Sequence, residues 1–204
     1  MGLTVEFISI LDEGGVEVFS YPPQSRLDMM GGAIVATIEM MSKRNQEVLE
    51  KIYLEDLVIY IRKLKGNATL IIAFKNFNKK FIEAEVNWFI EHLTEEIIRG
   101  IPGGNILFVD QVRDVLEPMI GDAIELFEDI CDQLERLNEA YKLATEIIGE
   151  KAKELLETCG RNIVNLKVED SKVFIKGAQG NLKSVLNSII SCKETLKNFI
   201  KTRF

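Results

Sequence analysis

The chain has 204 residues, 47% apolar and 28% charged, an ordinary globular balance with room for one sizeable domain or two small ones. Its net charge of −7 and pI of about 5.0 argue against a nucleic-acid binder, which needs a basic surface to meet phosphates. The nearest basic clusters, Arg62-Lys63-Lys65 and Lys79-Lys80, are thin, and no apolar run approaches the length of a bilayer span.

The chain opens MGLTVEFISI, without the basic segment or cleavage site of a signal peptide. Thr4–Leu11 and Val16–Ser20 read as strands, and Asp12-Glu13-Gly14-Gly15 between them suits a hairpin turn, because glycine reaches positive φ without steric cost. Tyr21-Pro22-Pro23 ends the second strand, since proline donates no ladder hydrogen bond. Ser25 is a plausible N-cap for a helix reaching about Lys43. Within it Gly31 and Gly32 cost roughly 2 kcal/mol together relative to alanine. A flat surface at Gly31 and Gly32 offsets that cost if backbone packs on backbone, and Ala33 and Ala36 extend the stripe. The same stripe could instead receive a partner's helix.

Residues 49–54 read as a short strand. Leu57–Leu64 and Thr69–Phe74 read as a second hairpin about Lys65-Gly66-Asn67. Asn78 can cap a helix over 79–99 with Phe81, Ile82, Val86, Phe89, Ile90, Leu93 and Ile97 inward. Gly100 and Ile101-Pro102-Gly103-Gly104 then break the chain. Residues 107–120 read as a short helix ending near Pro118 to Gly121. From residue 122, apolar or small residues fall at Ala123, Phe127, Ile130, Leu134, Leu137, Tyr141, Ala144, Ile148, Ala152, Leu155 and Cys159, spaced 4, 3, 4, 3, 4, 3, 4, 4, 3 and 4. One continuous helix over this stretch would extend roughly 55 Å. Gly160 ends it. Residues 162–168 and 172–175 read as a small hairpin about Asp170-Ser171, and 181–204 as a last helix with Leu182, Val185, Leu186, Ile189, Leu196, Phe199 and Ile200 on one face.

The expected fold is therefore α+β. A five-stranded antiparallel sheet with flanking helices (order β-β-α-β-β-β-α) occupies residues 1–100. A mainly helical region over 105–204 follows, with a hairpin at about 162–176.

The chemistry is sparse. His92 is the single histidine and lies among Glu91, Glu95 and Glu96, an arrangement better suited to a polar helix face than to a metal site. Glu125, Glu128, Asp129, Asp132 and Glu135 read as a solvated face, with Arg136 and Lys142 at ion-pair spacing. The glycine pairs at 14–15, 31–32 and 103–104 carry no phosphate-loop continuation, and no nucleophile motif occurs. Cys131, Cys159 and Cys192 are odd in number, without a CxxC, and fall within helical apolar patterns. They are expected to be reduced, buried small hydrophobes. The sequence assigns no catalytic residue, cofactor or metal.

The segment FISILDEGGVEVFSYP is similar to the opening hairpin of longin and roadblock domains, and SRLDMMGGAIVATIEMMSK (25–43) resembles the first longin helix. The hairpin LVIYIRKLKGNATLIIAF and the following helix complete that family order over residues 3–100, favouring longin over roadblock, which usually begins with an extra helix. The resemblance implies a profilin-like fold and a non-catalytic adaptor for a small GTPase or a trafficking or signalling complex. It also implies a homodimer or heterodimer with a protein partner. Charge, cysteine usage and the lack of a signal segment or long apolar run point to a cytoplasmic chain that binds no nucleic acid and reaches membranes only through a partner. The candidate partner interface comprises Met30, Gly31, Gly32, Ile52, Leu54, Phe127, Leu134 and Tyr141. The competing readings are a self-assembling scaffold that dimerises through 122–159, and an enzyme or small-ligand domain of unfamiliar type.

Overall fold

The computed structural model describes residues 3–23, 50–53, 57–64, 68–75, 83–101 and 111–202. The chain is α+β and forms two compact units, one of Leu3–Phe77 with Ile90–Asp122 and the other of Asn78–Phe89 with Ala123–Phe204. The expected first helix with its glycine pair, the turn at 65–67, and the segments 76–82 and 102–110 lie outside the described residues.

The first unit is built on β1 (Thr4–Leu11), β2 (Glu17–Tyr21), β3 (Glu50–Tyr53), β4 (Leu57–Lys63) and β5 (Thr69–Lys75). All pairings are antiparallel and the order is β2-β1-β5-β4-β3, so the first and last strands pair at the centre. The turn between β1 and β2 is held by the Asp12 carboxylate, which accepts from the Val16 amide at 2.8 Å, and Gly15 there takes φ 81°.

The central strands carry near-continuous apolar runs because both faces of the sheet are covered. On one face Leu11, Ile59, Ile61, Ile71 and Ala73 cluster, with Phe7, Ile52 and Leu57 against them. On the other, Ile8, Ile10, Phe19, Tyr60, Leu70, Ile72 and Phe74 are fully buried, and Tyr60 meets Phe74 edge-on at 5.5 Å between centroids. A strand that alternated polar and apolar residues would leave one of these faces unable to pack.

Four helices are described: α1 (Glu83–Gly100), α2 (Arg113–Ile148), α3 (Lys151–Thr158) and α4 (Leu182–Lys201). Val86, Phe89, Ile90, Leu93 and Ile97 of α1 are all buried, as their spacing requires.

The sequence reading of α2 needs two corrections. First, the expected stop near Pro118 is absent: the helix runs 36 residues with Pro118 inside it. Proline leaves the carbonyl four residues earlier without an amide donor. Here that carbonyl belongs to Asp114, and both Asp114 and Pro118 are exposed, so water can take the missing donor's place. Second, the continuous helix over 122–159 is two helices. Gly149 at φ 58° donates its amide to the Thr145 carbonyl at 2.9 Å and ends α2 in a left-handed cap. The apolar stripe then continues through Ala152 and Leu156, while Leu155 is half-buried.

In the second unit, β6 (Val164–Glu169) and β7 (Lys172–Ala178) form a hairpin. Its two-residue turn, Asp170-Ser171, has φ of 49° and 61°, the paired positive values of a type I′ turn, whose twist matches that of the strands it joins. Val164, Leu166, Val173 and Ile175 face inward and Asn165, Glu169 and Lys176 outward, a period of two. Asn181 caps α4, its side chain accepting from the Ser184 amide at 2.8 Å.

The cysteine expectation is also corrected. Cys159 and Cys192 form a disulfide across a sequence separation of 33, with Cα atoms 5.5 Å apart. Cys131 is half-buried and takes no part in it. Two of the three sulfurs therefore form a covalent tie that spacing along the chain could not reveal.

Candidate functional site

A sheet of five strands has two outer strands, and their treatment differs. Along β2 the pairing with β1 shifts between Ile10 and Leu11, so Val18 falls in a bulge. The Val18 carbonyl accepts from Nη2 of Arg113 at 2.8 Å, and the same guanidinium lies 5.6 Å from the centre of the Phe19 ring. A charge-assisted bond from α2 thus closes part of that edge. Nearby, Gly121 of α2 sits where a Cβ would come 2.9 Å from the Tyr21 hydroxyl oxygen, so the ring rests directly on helix backbone.

The opposite outer strand is β3. Ile52 stands across from Ile59 and packs against the buried cluster, while Lys51 and Tyr53 take the other face across from Tyr60 and Val58. The Lys51 ammonium lies 5.2 Å from the centre of the Tyr60 ring, within cation–π range. Tyr53 is 47% exposed, a large aromatic ring at the margin of the sheet. β3 is thus the outer strand of the described sheet on this side, with Tyr53 on its exposed face.

The remaining expected interface residues divide by position. Met30, Gly31, Gly32 and Leu54 lie outside the described residues. Phe127, Leu134 and Tyr141 are buried by this chain's own residues, in the second unit. Phe127 stacks on Phe89 with centroids 4.1 Å apart and planes 14° from parallel. The heptad-spaced stripe of α2 is thus filled without a second chain. Asn138, which no sequence motif marks, joins it to the hairpin. Its side-chain oxygen accepts from the Val173 amide at 2.6 Å and its nitrogen donates to the Val173 carbonyl at 3.1 Å. One primary amide thereby satisfies both polar groups of a β7 residue, as a neighbouring strand would.

The titratable candidates keep modest surroundings. His92 Nε2 lies 3.8 Å from the Glu96 carboxylate one helical turn on. Glu125, Asp129, Asp132 and Glu135 are exposed and Glu128 is half-buried, a solvated helix face. Among the described residues no three His, Cys, Asp or Glu side chains are grouped to hold a metal ion, and no helix is long and apolar enough to cross a membrane.

No protein-family model matches the chain, and no curated protein does. Among solved structures it is similar to a gliding protein, mglB, from Thermus thermophilus, at 19% identity and a TM-score of 0.29. That likeness covers 35% of this chain and 61% of that one. It is too partial to assign a family.

Proposed function

We propose that this chain is a non-catalytic adaptor whose five-stranded sheet recognises a protein partner, in the manner implied by its resemblance to longin and roadblock domains, with a small GTPase as the partner class. The observation that supports the reading is the sheet itself. Five antiparallel strands in the order β2-β1-β5-β4-β3 set β3 outermost, with Ile52 anchored in the core and Tyr53 at the surface. Aromatic side chains at a sheet margin bury large area at low conformational cost when a partner closes over them.

The test uses the purified chain and a panel of small GTPases from the same source, each loaded with GDP or with a non-hydrolysable GTP analogue. Calorimetric titration is expected to give saturable binding that favours one nucleotide state. Tyr53→Glu is expected to weaken it at least tenfold without moving the unfolding transition. Failure of every panel member in both states would overturn the GTPase reading, and full-strength binding by Tyr53→Glu would remove β3 from it.

A further inference from the structure

The disulfide has no part in the adaptor reading, yet it sits at a mechanically informative place. Cys159 terminates α3, directly before a turn in which Gly160 takes φ 66°. A Cβ at Gly160 would collide with the Ser188 hydroxyl and approach Val164 Cγ1 at 3.0 Å and Cys192 Sγ at 3.3 Å, so the turn is seated backbone-first against α4. The two cysteines differ in burial. Cys192 is fully buried in α4, whereas Cys159 is half-buried at the end of a short helix.

The elements joined by the bond also differ in what else holds them. α4 buries Leu182, Val185, Ile189, Cys192 and Leu196 along its length. α3 has eight residues and buries only Ala152 and Leu156. A helix of that length is marginal without tertiary support, because one nucleation step is spread over few propagating bonds.

We propose that Cys159–Cys192 is a reversible redox latch, opened from the Cys159 side, that fixes α3 and the Gly160 turn against α4. The thiolate of a small thiol such as glutathione attacks Cys159 Sγ along the S–S axis. The S–S bond breaks as the new mixed disulfide forms, and Cys192 leaves as a thiolate that takes up a proton. The thiolate of a second molecule of the reductant then attacks the reductant's sulfur in the mixed disulfide, releasing Cys159, which is protonated in turn. Two electrons and two protons pass from two thiols to the protein, and the two thiols end joined as their own disulfide. Attack at Cys192 would have to pass through packed side chains. After opening, α4 keeps its apolar contacts, so the loosening is confined to α3 and the turn.

The test uses the full chain. It is equilibrated in glutathione buffers of graded reduced-to-oxidised ratio, quenched in acid, alkylated with N-ethylmaleimide and mapped by peptide mass spectrometry, with Cys131→Ser as a background control. The bond is expected to open and re-form along one curve in both directions. The transient mixed disulfide is expected to carry glutathione on Cys159 and maleimide on Cys192, at least tenfold over the reverse. Amide exchange over 151–160 is expected to rise at least tenfold on reduction while β1, β4 and β5 stay unchanged. Three results would overturn the proposal: both thiols alkylated in fully oxidised buffer, opening only after the chain is denatured, or glutathione found mainly on Cys192.

Discussion

The two sheets of this molecule solve one problem in different ways. The five-stranded sheet is covered on both faces and gains its order from apolar bulk: Ile8, Ile10, Ile71, Ile72 and Phe74 are all essentially unexposed. The hairpin β6–β7 has a single buried face and too few strands to stand alone. Its order comes from particular polar and covalent groups, namely the type I′ turn at Asp170-Ser171, the Asn138 amide on Val173 and the disulfide that precedes its first strand. The larger sheet should therefore respond to volume, and the smaller to single atoms.

The largest effect is expected at the centre of the large sheet. Phe74→Ala should lower stability by about 3 to 5 kcal/mol in urea denaturation, as truncation of a buried aromatic ring does. If it cost no more than a surface change, the volume side of the comparison would fail. In the second unit the disulfide comes next. Reduction, or Cys192→Ser, should cost roughly 3 to 4 kcal/mol by the chain-entropy relation for a loop set by the separation of 33, read as a drop in Tm by calorimetry.

Asn138→Leu conserves bulk while leaving the Val173 amide and carbonyl without their partner. About 2 kcal/mol is expected, from the cost of unsatisfied buried polar groups. Asn138→Asp sharpens the point, since it keeps the shape yet sets a carboxylate oxygen against the Val173 carbonyl and should cost at least as much. A smaller effect is expected at the α4 cap, where Asn181→Ala should cost about 1 kcal/mol. In the larger sheet, Val16→Ser, on an exposed turn residue, should be nearly neutral by the same denaturation assay.

The same contrast governs what could be read from sequence. Strand positions in both sheets, the inner face of α1 and the hairpin turn were legible because period and turn chemistry are local. Leu57–Leu64 and Thr69–Phe74 read as strands, each within one residue of the observed β4 and β5. The end of α2 was misread although a local sign existed. The apolar spacing runs 4, 3, 4, 3 until two successive fours at Ala144, Ile148 and Ala152, and the left-handed Gly149 falls inside that slip. Pro118 misled in the other direction, because its tolerance depends on the exposure of Asp114 and Pro118, a property of the folded helix. Arg113, Asn138 and the Cys159–Cys192 pair were illegible. Each acts across 33 or more residues, on a partner chosen by packing rather than by spacing. Of the expected interface, Ile52 lies on an outer strand, while Phe127, Leu134 and Tyr141 share their spacing with any buried helix stripe.

The pairing of β1 with β5 carries a consequence in time. Thr4 lies opposite Lys75, and Leu11 opposite Thr69. As β1 leaves the ribosome it can meet β2 within a second or so of synthesis, but a lone hairpin is barely stable in water. The strand that completes its other side is nearly sixty residues behind, so for several seconds at ordinary elongation rates β1 exposes a row of unpaired amides and isoleucines. Through that interval the nascent chain must stay apart from its own copies. The acidic pair Asp12-Glu13 at the tip of the hairpin gives each nascent chain a like charge with which to do so.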